Sequence, residues 1–432
     1  MNVLIIGNGV AGVTAAISLR KLSGCLITII SSETEHFFSR TALMYIYMGH
    51  MKYEHTKPYE DSFWKKNKIN LLFAKVGQIL TQSNQVELSD KSRIAYDKLI
   101  LATGSKPVFY GWKGQEGAGV QGLYSYQDLQ KLEAFSPNIK KAVIIGGGLI
   151  GIELAEMLRS RNIEVHFLIR ENNYWANVLP TEEAQMVSEH IAVHHIHLYK
   201  NAELKEIRLD PKTNKVTSVI TNNGEITCDF VGICTGVSPN VEWIKQQSAQ
   251  HDILVRKGVV VNEYLQTSNP NIYAIGDCAE LNCPSEGRRS IEAIWYTARA
   301  MGETVAHSIL GKPTKYEPRL WFNSAKFLDI EYQVYGNVPA ATAVLQHKSL
   351  FWAHKDKQKS IRIVYNEASE EVLGFNLMGI RYRHEVCERW IAEKATMAQV
   401  LPQLAKANFD PELFKTYELE LLALWKKEKA LV

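Results

Sequence analysis

The 432-residue chain is 46% hydrophobic and 22% charged, with a formal net charge of +3 at pH 7, as expected for a globular protein of two or three domains. Lysine and arginine form no stripe with interleaved aromatic residues, which argues against nucleic acid as a partner. No apolar run reaches the roughly 18 residues of a membrane span, and the six scattered cysteines do not suggest a secreted disulfide framework.

The first predicted element is a strand over Val3–Ile6, followed at once by a G-x-G-x-x-G turn and an alanine-rich helix from Thr14 to Lys21. In such a turn the glycines allow a tight bend, a close approach to a pyrophosphate and close helix packing. The helix N-terminus adds N–H groups and a positive dipole end. The predicted dinucleotide-binding residues are Gly7, Gly9, Val10, Ala11 and Gly12. Because a cleaved leader would remove this strand, a cytoplasmic location is predicted.

A second strand is predicted over Cys25–Ile30, after which an acidic residue is expected to bind the ribose hydroxyls. Glu33 is the candidate and Glu35 is the alternative. Arg40 follows a pair of aromatic residues, and we expect it either to clamp a phosphate or ribityl chain or to lie in an exposed loop.

Short strands are predicted over 69–100, and Val76, in the stretch NLLFAKVGQIL, is a further candidate cofactor-binding residue. The apolar run Lys98–Leu101 then ends in the turn ATGSKP. The small residues of this turn would let a dinucleotide approach, so Ala102, Thr103 and Gly104 are candidates as well.

The opening pattern is repeated after residue 139. A strand over Lys140–Ile145 leads into a second G-x-G-x-x-G turn and a helix. One such unit binds one dinucleotide, so two units indicate two dinucleotides. The candidate residues of the second unit are Gly146, Gly148, Ile150 and Gly151. A strand over Glu164–Ile169 and a small β-meander over 199–233 follow.

The meander closes on CTGVSPN, a second strand-then-T-G turn, in which Gly236 is a candidate. The segment TSNPNIYAIGDC then brings Gly276 and Asp277. A helix is predicted to begin near Ile291, and the rest of the chain is predicted to be strand-like to about residue 380 and then mostly helical.

The motifs GNGVAG, ATGSKP, GGGLIG, CTGVSPN and TSNPNIYAIGDCAE, in this order, resemble the pyridine nucleotide-disulfide oxidoreductase superfamily. The resemblance covers about residues 1–340. It implies an α/β fold with two Rossmann-like domains of the glutathione reductase type and an α+β C-terminal interface domain. The implied boundaries are 1–111 with 241–313 for a discontinuous FAD-binding domain, 112–240 for the NAD(P)H-binding domain and 314–432 for the interface domain.

Within this superfamily, FFSRTALMYIYMG and the helix motif W-x-x-A-x-x-x-G look like the branch of ferredoxin and rubredoxin reductases, apoptosis-inducing factor and the nitrite reductase flavin module. The resemblance implies FAD as cofactor and NAD(P)H as co-substrate, with hydride transfer from nicotinamide C4 to flavin N5. It implies that Asp277 binds the ribityl chain, that Trp295 and Ala298 lie on the helix that points at the flavin, and that Glu153 contacts the nicotinamide carboxamide. Otherwise Glu153 is a plain helix glutamate.

Both nicotinamide donors stay open. Ile169 stands where an acidic residue usually selects NADH, and Arg170 could pair with the 2′-phosphate of NADPH. Glu171 is one residue further along and could restore a preference for NADH.

The cysteines do not match the redox pairs of disulfide reductases. No cysteine lies in the helix near residues 40–50, and no C-x-x-C is present. Cys278 and Cys283 are predicted to be structural. Electrons are therefore expected to leave the flavin directly, for a small electron-transfer protein such as ferredoxin or rubredoxin or for a small molecule. A homodimer is possible.

Two alternatives have their own signals. A type II NADH:quinone oxidoreductase at the membrane surface would need an amphipathic tail, and the C-terminal segment carries lysines beside Leu421, Leu422, Leu424 and Trp425. The same apolar residues could instead cover the C-terminal domain. The other alternative is a non-enzymatic, redox-sensing flavoprotein. No metal site is predicted at His190, His194, His195 and His197, since no cysteine or carboxylate set accompanies them.

Overall fold

The apolar run at the N-terminus forms the middle strand of a parallel sheet in the computed structural model, which describes residues 1–247, 251–340 and 346–430. The chain divides into two units. The first contains Met1–Val108, Leu123–Ala134 and the described part of Gly236–Arg319, and the second contains Phe109–Gly122, Phe135–Thr235 and the described part of Leu320–Val432.

The parallel sheet of the first unit has five strands. Their order is Ile272–Ala274, Lys98–Leu101, Asn2–Ile6, Leu26–Ser31 and Ile69–Phe73. Val3, Leu4 and Ile5 are fully buried, as expected for a strand covered on both faces. The helices Val10–Leu22 and Trp295–Ile309 pack closely at Gly302. A side chain at this position would not fit, since its Cβ would lie only 2.7 Å from the carbonyl oxygen of Ala11.

Smaller sheets complete the first unit. They are the antiparallel Val76–Leu80, Gln85–Leu88 and Arg93–Ala95, the antiparallel pair Ser105–Pro107 and Val237–Pro239, and the parallel pair Val259–Val261 and Ala279–Leu281. The other helices are Leu43–Tyr47, Asp61–Lys66, Glu242–Lys245 and Tyr126–Phe135, the last of which belongs to this unit up to Ala134. The short strands predicted over 69–100 are confirmed.

The second unit repeats the parallel sheet. Its strand order is Ile196–Tyr199, Glu164–Leu168, Lys141–Ile145, Phe230–Ile233 and Val120–Gln121. The helix Leu149–Ser160 follows the central strand. The predicted meander is confirmed for the antiparallel strands Leu204–Leu209, Val216–Thr221 and Gly224–Thr227. Its last strand was wrongly included, since Phe230–Ile233 is buried at every position and joins the parallel sheet.

An antiparallel sheet lies in the C-terminal part of the second unit. Its order is Phe322–Phe327, Ile330–Gly336, Val372–Met378, Ser360–Asn366 and His347–Ala353. The helices of this unit beyond Leu149–Ser160 are Thr181–Val193, His384–Ala392, Met397–Val400 and Glu418–Ala430. The predicted change from strands to helices near residue 380 is confirmed, and the fold is α/β with two Rossmann-type sheets.

The helix predicted to begin near Ile291 begins instead at Trp295. Ile294 is extended, with φ −135° and ψ 137°. Glu292 is held in the preceding loop by an ion pair of 2.6 Å with Arg288. These interactions fix the segment before Trp295 outside the helix.

Candidate functional site

The first glycine turn has the shape that a pyrophosphate requires. Gly7 has φ +113°, and a Cβ there would overlap the carbonyl oxygen of Ala102, so only glycine fits this bend. A Cβ at Gly12 would overlap the carbonyl oxygen of Gly7, which explains the close packing of helix and strand. Gly9 is the N-cap of the helix that starts at Val10. Apart from its two chain neighbours, no described residue has an atom within 4 Å of its Cβ position.

Within the first unit, the T-G turn at Thr103 and Gly104 contacts the segment that begins at Gly236. Thr103 Oγ1 donates to the carbonyl oxygen of Asn240 at 3.0 Å, and the N–H of Asn240 donates to the carbonyl oxygen of Gly104 at 2.9 Å. The N–H of Val108 donates to the carbonyl oxygen of Gly236 at 3.1 Å. Motifs that lie more than 130 residues apart in the chain thus form one support beside the first glycine turn.

Glu33 and Arg40, predicted separately, form a single bidentate ion pair. Arg40 Nη1 and Nη2 donate to the Glu33 carboxylate at 2.8 and 2.6 Å. Arg40 also donates to the carbonyl oxygen of Tyr124 at 2.6 Å, and its guanidinium lies 4.5 Å from the centroid of the Tyr124 ring. Arg40 is therefore held in place rather than lying in an exposed loop, while the alternative residue Glu35 is exposed. Their contacts with a cofactor remain predictions.

Asp277 lies in a 3-10 turn next to the first glycine turn. A Cβ at Gly276 would lie 2.9 Å from Ala11 Cβ. Ser105 Oγ donates to Asp277 Oδ2 at 2.9 Å. Burial raises the pKa of Asp277, and Ser105 and the charge of Arg40 oppose that rise.

Sequence analysis gave Ser105 and Tyr124 no role. The N–H of Ser105 donates to the Tyr124 hydroxyl at 3.1 Å, so Tyr124 connects the Arg40 pair to the turn that holds Asp277. Ser105 could have been noticed as part of ATGSKP, but no local pattern marks Tyr124.

The remaining candidates of the first unit surround this network. Ala298 is 2% exposed, with its Cβ 3.6 Å from the Cβ position of Gly276. Trp295, at the start of the same helix, is 44% exposed. Val76 is half-buried in the first strand of the small antiparallel sheet.

These residues fit FAD. The open space at Gly9 suits a pyrophosphate at the helix N-terminus. Asp277 keeps acceptor capacity beyond its bond from Ser105, as binding of a polyol chain requires. The half-buried Glu33–Arg40 pair offers both a carboxylate and a cation to the ribose and phosphate groups.

The second glycine turn has the same construction. Gly146 has φ +110°, and a Cβ there would overlap the carbonyl oxygen of Cys234. A Cβ at Gly151 would overlap the carbonyl oxygen of Gly146, whereas no described residue except the chain neighbours of Gly148 has an atom within 4 Å of the Gly148 Cβ position. Ile150, in the first turn of the helix, is half-buried. The second unit therefore offers a second cradle of the shape that a dinucleotide requires.

Tyr174 supports this second turn and was missed from the sequence. Its hydroxyl donates to the carbonyl oxygen of Gly148 at 3.1 Å, and its ring is fully buried.

The carboxylate of Glu171, rather than Arg170, faces this turn. A Cβ at Gly147 would lie 3.8 Å from Glu171 Oε2 and 2.8 Å from Ile169 Cγ2. Arg170 is exposed. The charge of Arg170 acts on Glu203 instead. The pKa of Glu203 is lowered mainly by its hydrogen bond with Lys205, and Arg170 adds to that lowering.

Glu153 is a carboxyl group with a perturbed pKa. Burial raises its pKa to about 7, the charge of Glu156 adds to the rise and Lys326 opposes it. Lys326 Nζ lies 2.7 Å from Glu156 Oε1. A group that titrates near neutral pH on the helix after a glycine turn is typical of a functional site.

The replacement Glu153→Gln is expected to stabilise the protein increasingly as pH rises. The pKa of Glu153 lies above its ordinary value of 4.5 in the folded state, so ionising it costs folding free energy between about pH 4.5 and pH 7. The difference in Tm between variant and wild type should be near zero at pH 4.5, should grow to pH 7 and should then stay level. The corresponding difference in the free energy of unfolding should reach the order of 1–3 kcal/mol at pH 7.

Thermal unfolding across this pH range measures the difference in Tm. Glu35→Gln is the control, because it removes a negative charge from an exposed position. A difference between Glu153→Gln and wild type that does not change from pH 4.5 to pH 8 would contradict the assignment.

The six cysteines all lie among the described residues and all are free. Cys278 is fully buried, and its Sγ contacts the carbonyl oxygens of Leu101 and Ile275 at 3.3 Å. Burial raises its pKa. Cys283 is exposed. Cys278 is thus a small buried side chain that packs inside the turn, in agreement with the predicted structural role.

One premise about the histidines was wrong. His190 and His194 do have a carboxylate partner, Asp329, which the hairpin at Phe322–Gly336 supplies. Sequence analysis missed it because Asp329 lies 139 residues from His190.

The apolar residues of the C-terminal tail are packed rather than free. Leu421 is 0% and Trp425 8% exposed, and Leu422 and Leu424 pack partly buried against the same core. The interpretation that they cover the C-terminal domain is confirmed. Among the described residues, no helix is both long and apolar enough to span a bilayer.

Comparison with known proteins identifies the chain's relatives. A family profile described as pyridine nucleotide-disulphide oxidoreductase matches residues 1–302. Rhodocoxin reductase of Rhodococcus erythropolis is 30% identical over 339 residues, 76% of this chain and 76% of that protein. An NADH oxidase of Methanocaldococcus jannaschii is 28% identical over 343 residues, 77% and 75% of the two chains. The solved covalent complex of putidaredoxin reductase with putidaredoxin has a similar fold, with a TM-score of 0.78, 22% identity and 99% of both chains covered.

Proposed function

The chain belongs to the pyridine nucleotide-disulphide oxidoreductase family, and on that premise we propose that it carries electrons from NADH through FAD to a small electron-carrier protein. It is an FAD-dependent NAD(P)H oxidoreductase. The observation that carries the proposal is the pair of glycine turns, at Gly7–Gly12 and Gly146–Gly151, with matching geometry.

The protein's contribution is binding and orientation. FAD, when bound, accepts a hydride and can release its electrons singly. Gly9 and the helix N-terminus at Val10 would hold its pyrophosphate, and Asp277 and the Glu33–Arg40 pair would orient its ribityl and ribose groups. Gly148 would take the pyrophosphate of the nicotinamide donor, and Glu153 would contact the carboxamide.

A protein acceptor is supported by the cysteines and by the relatives. The nearest pair in sequence, Cys278 and Cys283, consists of one buried filler and one exposed thiol, so a thiol relay is not part of the proposed path. Rhodocoxin reductase is named for the protein it reduces, and the solved complex holds a reductase joined to putidaredoxin. The second candidate is dioxygen as acceptor, since another relative is named an NADH oxidase.

Stopped-flow reduction followed by an acceptor screen tests this function. The flavin should bleach on mixing with NADH and recover its colour fastest with a ferredoxin or rubredoxin. Recovery that is fastest with dioxygen would favour the oxidase, and fastest recovery with quinones would favour the membrane-surface alternative. A flavin that is reduced but never turns over would contradict both enzymatic proposals.

We expect NADH to exceed NADPH in kcat/KM by at least about tenfold, or roughly 1.4 kcal/mol. The reason is that the Glu171 carboxylate faces the glycine turn, where it can accept hydrogen bonds from the ribose hydroxyls and repel a 2′-phosphate. Glu171→Gln should lower kcat/KM for NADH about tenfold or more, because hydrogen bonds to charged groups contribute roughly 1.5–3 kcal/mol.

Arg170→Gln is the matched control, since Arg170 is the exposed neighbour, and it should leave the NADH value within about twofold of wild type. If Arg170→Gln instead abolishes a preference for NADPH, the donor assignment is reversed.

A further inference from the structure

Three side chains outside both glycine turns converge at the end of the helix Thr181–Val193. His190 lies in its last turn and His194 is its C-cap, and their Nε2 atoms are 3.1 Å apart. Asp329 Oδ1 lies 3.1 Å from His194 Nε2 and is hydrogen-bonded to His190 Nε2. We propose that His190, His194 and Asp329 form a binding site for a divalent transition metal ion, with zinc as the best match.

The donor set has the chemistry and spacing of a zinc site. Zinc prefers imidazole and carboxylate ligands at about 2.0–2.2 Å in tetrahedral geometry, which places ligand atoms roughly 3.3 Å from one another. Two of the three donor pairs, His190 Nε2 with His194 Nε2 and His194 Nε2 with Asp329 Oδ1, lie 3.1 Å apart, close to that spacing. The third pair, His190 Nε2 and Asp329 Oδ1, is hydrogen-bonded and must separate when an ion enters between them. Histidines four residues apart on one helix face are a common way to present two of these ligands.

The three ligands are fixed by elements of the second unit. Asp329 lies in the two-residue turn of the hairpin whose strands end at Phe327 and begin at Ile330. Its neighbour Leu328 has φ +59° and is 3% exposed, a costly conformation for a bulky residue. This tight turn is therefore anchored by burial and holds Asp329 beside the helix end.

The site is open on one side. The His190 side chain is 5% exposed, but those of His194 and Asp329 are 36% and 60% exposed. An ion can therefore enter from solvent, and water can complete its coordination. Because the ligands come from a helix and from a distant hairpin, a bound ion would cross-link the two.

A second group of possible ligands, Glu164, His166 and His197, fits a metal less well. Glu164 Oε1 pairs with Lys141 Nζ at 3.1 Å, which places a competing positive charge at the ligand. His166 Nδ1 is hydrogen-bonded to the Tyr199 hydroxyl at 2.9 Å and its Nε2 to Glu164 at 2.8 Å. This second group is therefore an internal comparison for the test.

The test uses the FAD-loaded full chain, purified without a polyhistidine tag, treated with EDTA and desalted. Zinc chloride is titrated by calorimetry, and cobalt chloride serves as a coloured probe of tetrahedral coordination. We expect one zinc ion per chain, a visible cobalt absorption band, and a rise in Tm with zinc concentration, because an ion that binds only the folded state stabilises it.

His194→Ala and Asp329→Asn should each weaken zinc binding at least about 100-fold while leaving the flavin content unchanged. His195 is the exposed neighbour of His194 and has a positive φ, which asparagine tolerates. His195→Asn therefore removes an imidazole beside the site without straining the backbone. His197→Ala removes a member of the second group. Both should bind zinc as wild type does.

The proposal is overturned if zinc produces neither binding heat nor a change in Tm. It is also overturned if binding survives in Asp329→Asn with wild-type affinity, or if it is lost in His197→Ala.

Discussion

Gly9→Val is expected to give a folded protein that is colourless and inactive with either nicotinamide donor. Gly9 is extended, with φ −71° and ψ −178°, a conformation that any residue adopts. Apart from its two chain neighbours, no described residue has an atom within 4 Å of its Cβ position, so the new side chain meets open space in the protein. We propose that the pyrophosphate of FAD approaches the backbone in this space, and a valine there would occupy it.

The ratio of flavin absorbance to protein absorbance measures how much FAD is bound. Far-ultraviolet circular dichroism shows whether the variant is folded. Gly12→Val is the contrasting variant and should fail to fold, since its Cβ would overlap the carbonyl oxygen of Gly7 and lie 3.1 Å from Ile5 Cγ2. Gly148→Val should be yellow but should not be bleached by NADH, because its open Cβ position belongs to the second cradle. A Gly9→Val protein that carries a full complement of FAD would contradict the assignment of the first glycine turn to FAD.

The two Rossmann units could be predicted because their signals are local. An apolar run, three glycines and a helix pattern all occur within about twenty residues, and each glycine has a steric reason to be there. The strand predicted over Lys98–Leu101 has the same bounds in the structure. The helix predicted from Ile291 was placed too early because the ion pair that holds Glu292 in the loop leaves no periodic signal.

The site residues that could not be predicted come from distant parts of the chain. Tyr124 contacts Arg40, which lies 84 residues away in the sequence, and Asp329 contacts His190, which lies 139 residues away. Tyr174 supports Gly148 from 26 residues away. Hydrophobic periodicity determines which face of an element is buried, but it does not determine which polar side chain meets which. Glu171 shows the same limit, because only the structure distinguishes its carboxylate from the neighbouring Arg170 at the glycine turn.

Arg362→Met is expected to lower the free energy of unfolding by about 3–5 kcal/mol, because it leaves a buried carboxylate without its cation. Arg362 is 2% exposed, and Glu183 is 0% exposed. The guanidinium donates to both Glu183 oxygens at 2.8 and 2.9 Å and to Glu182 at 2.7 Å. Asn376 Nδ2 also donates to Glu183 Oε1 at 3.1 Å, but a neutral amide cannot replace the charge.

Urea unfolding of the FAD-saturated protein measures this loss, and two further variants separate its causes. Arg362→Met combined with Glu183→Gln removes both charges and keeps an acceptor for Asn376. The double variant should recover most of the loss, because the penalty arises from the unpaired charge and not from the missing contact. Lys357→Met breaks the pair with Glu189, in which Lys357 is 68% and Glu189 43% exposed, and should cost no more than about 1 kcal/mol. If Arg362→Met costs no more than Lys357→Met, or if the double variant is the least stable of the three, Glu183 does not depend on Arg362 for its charge.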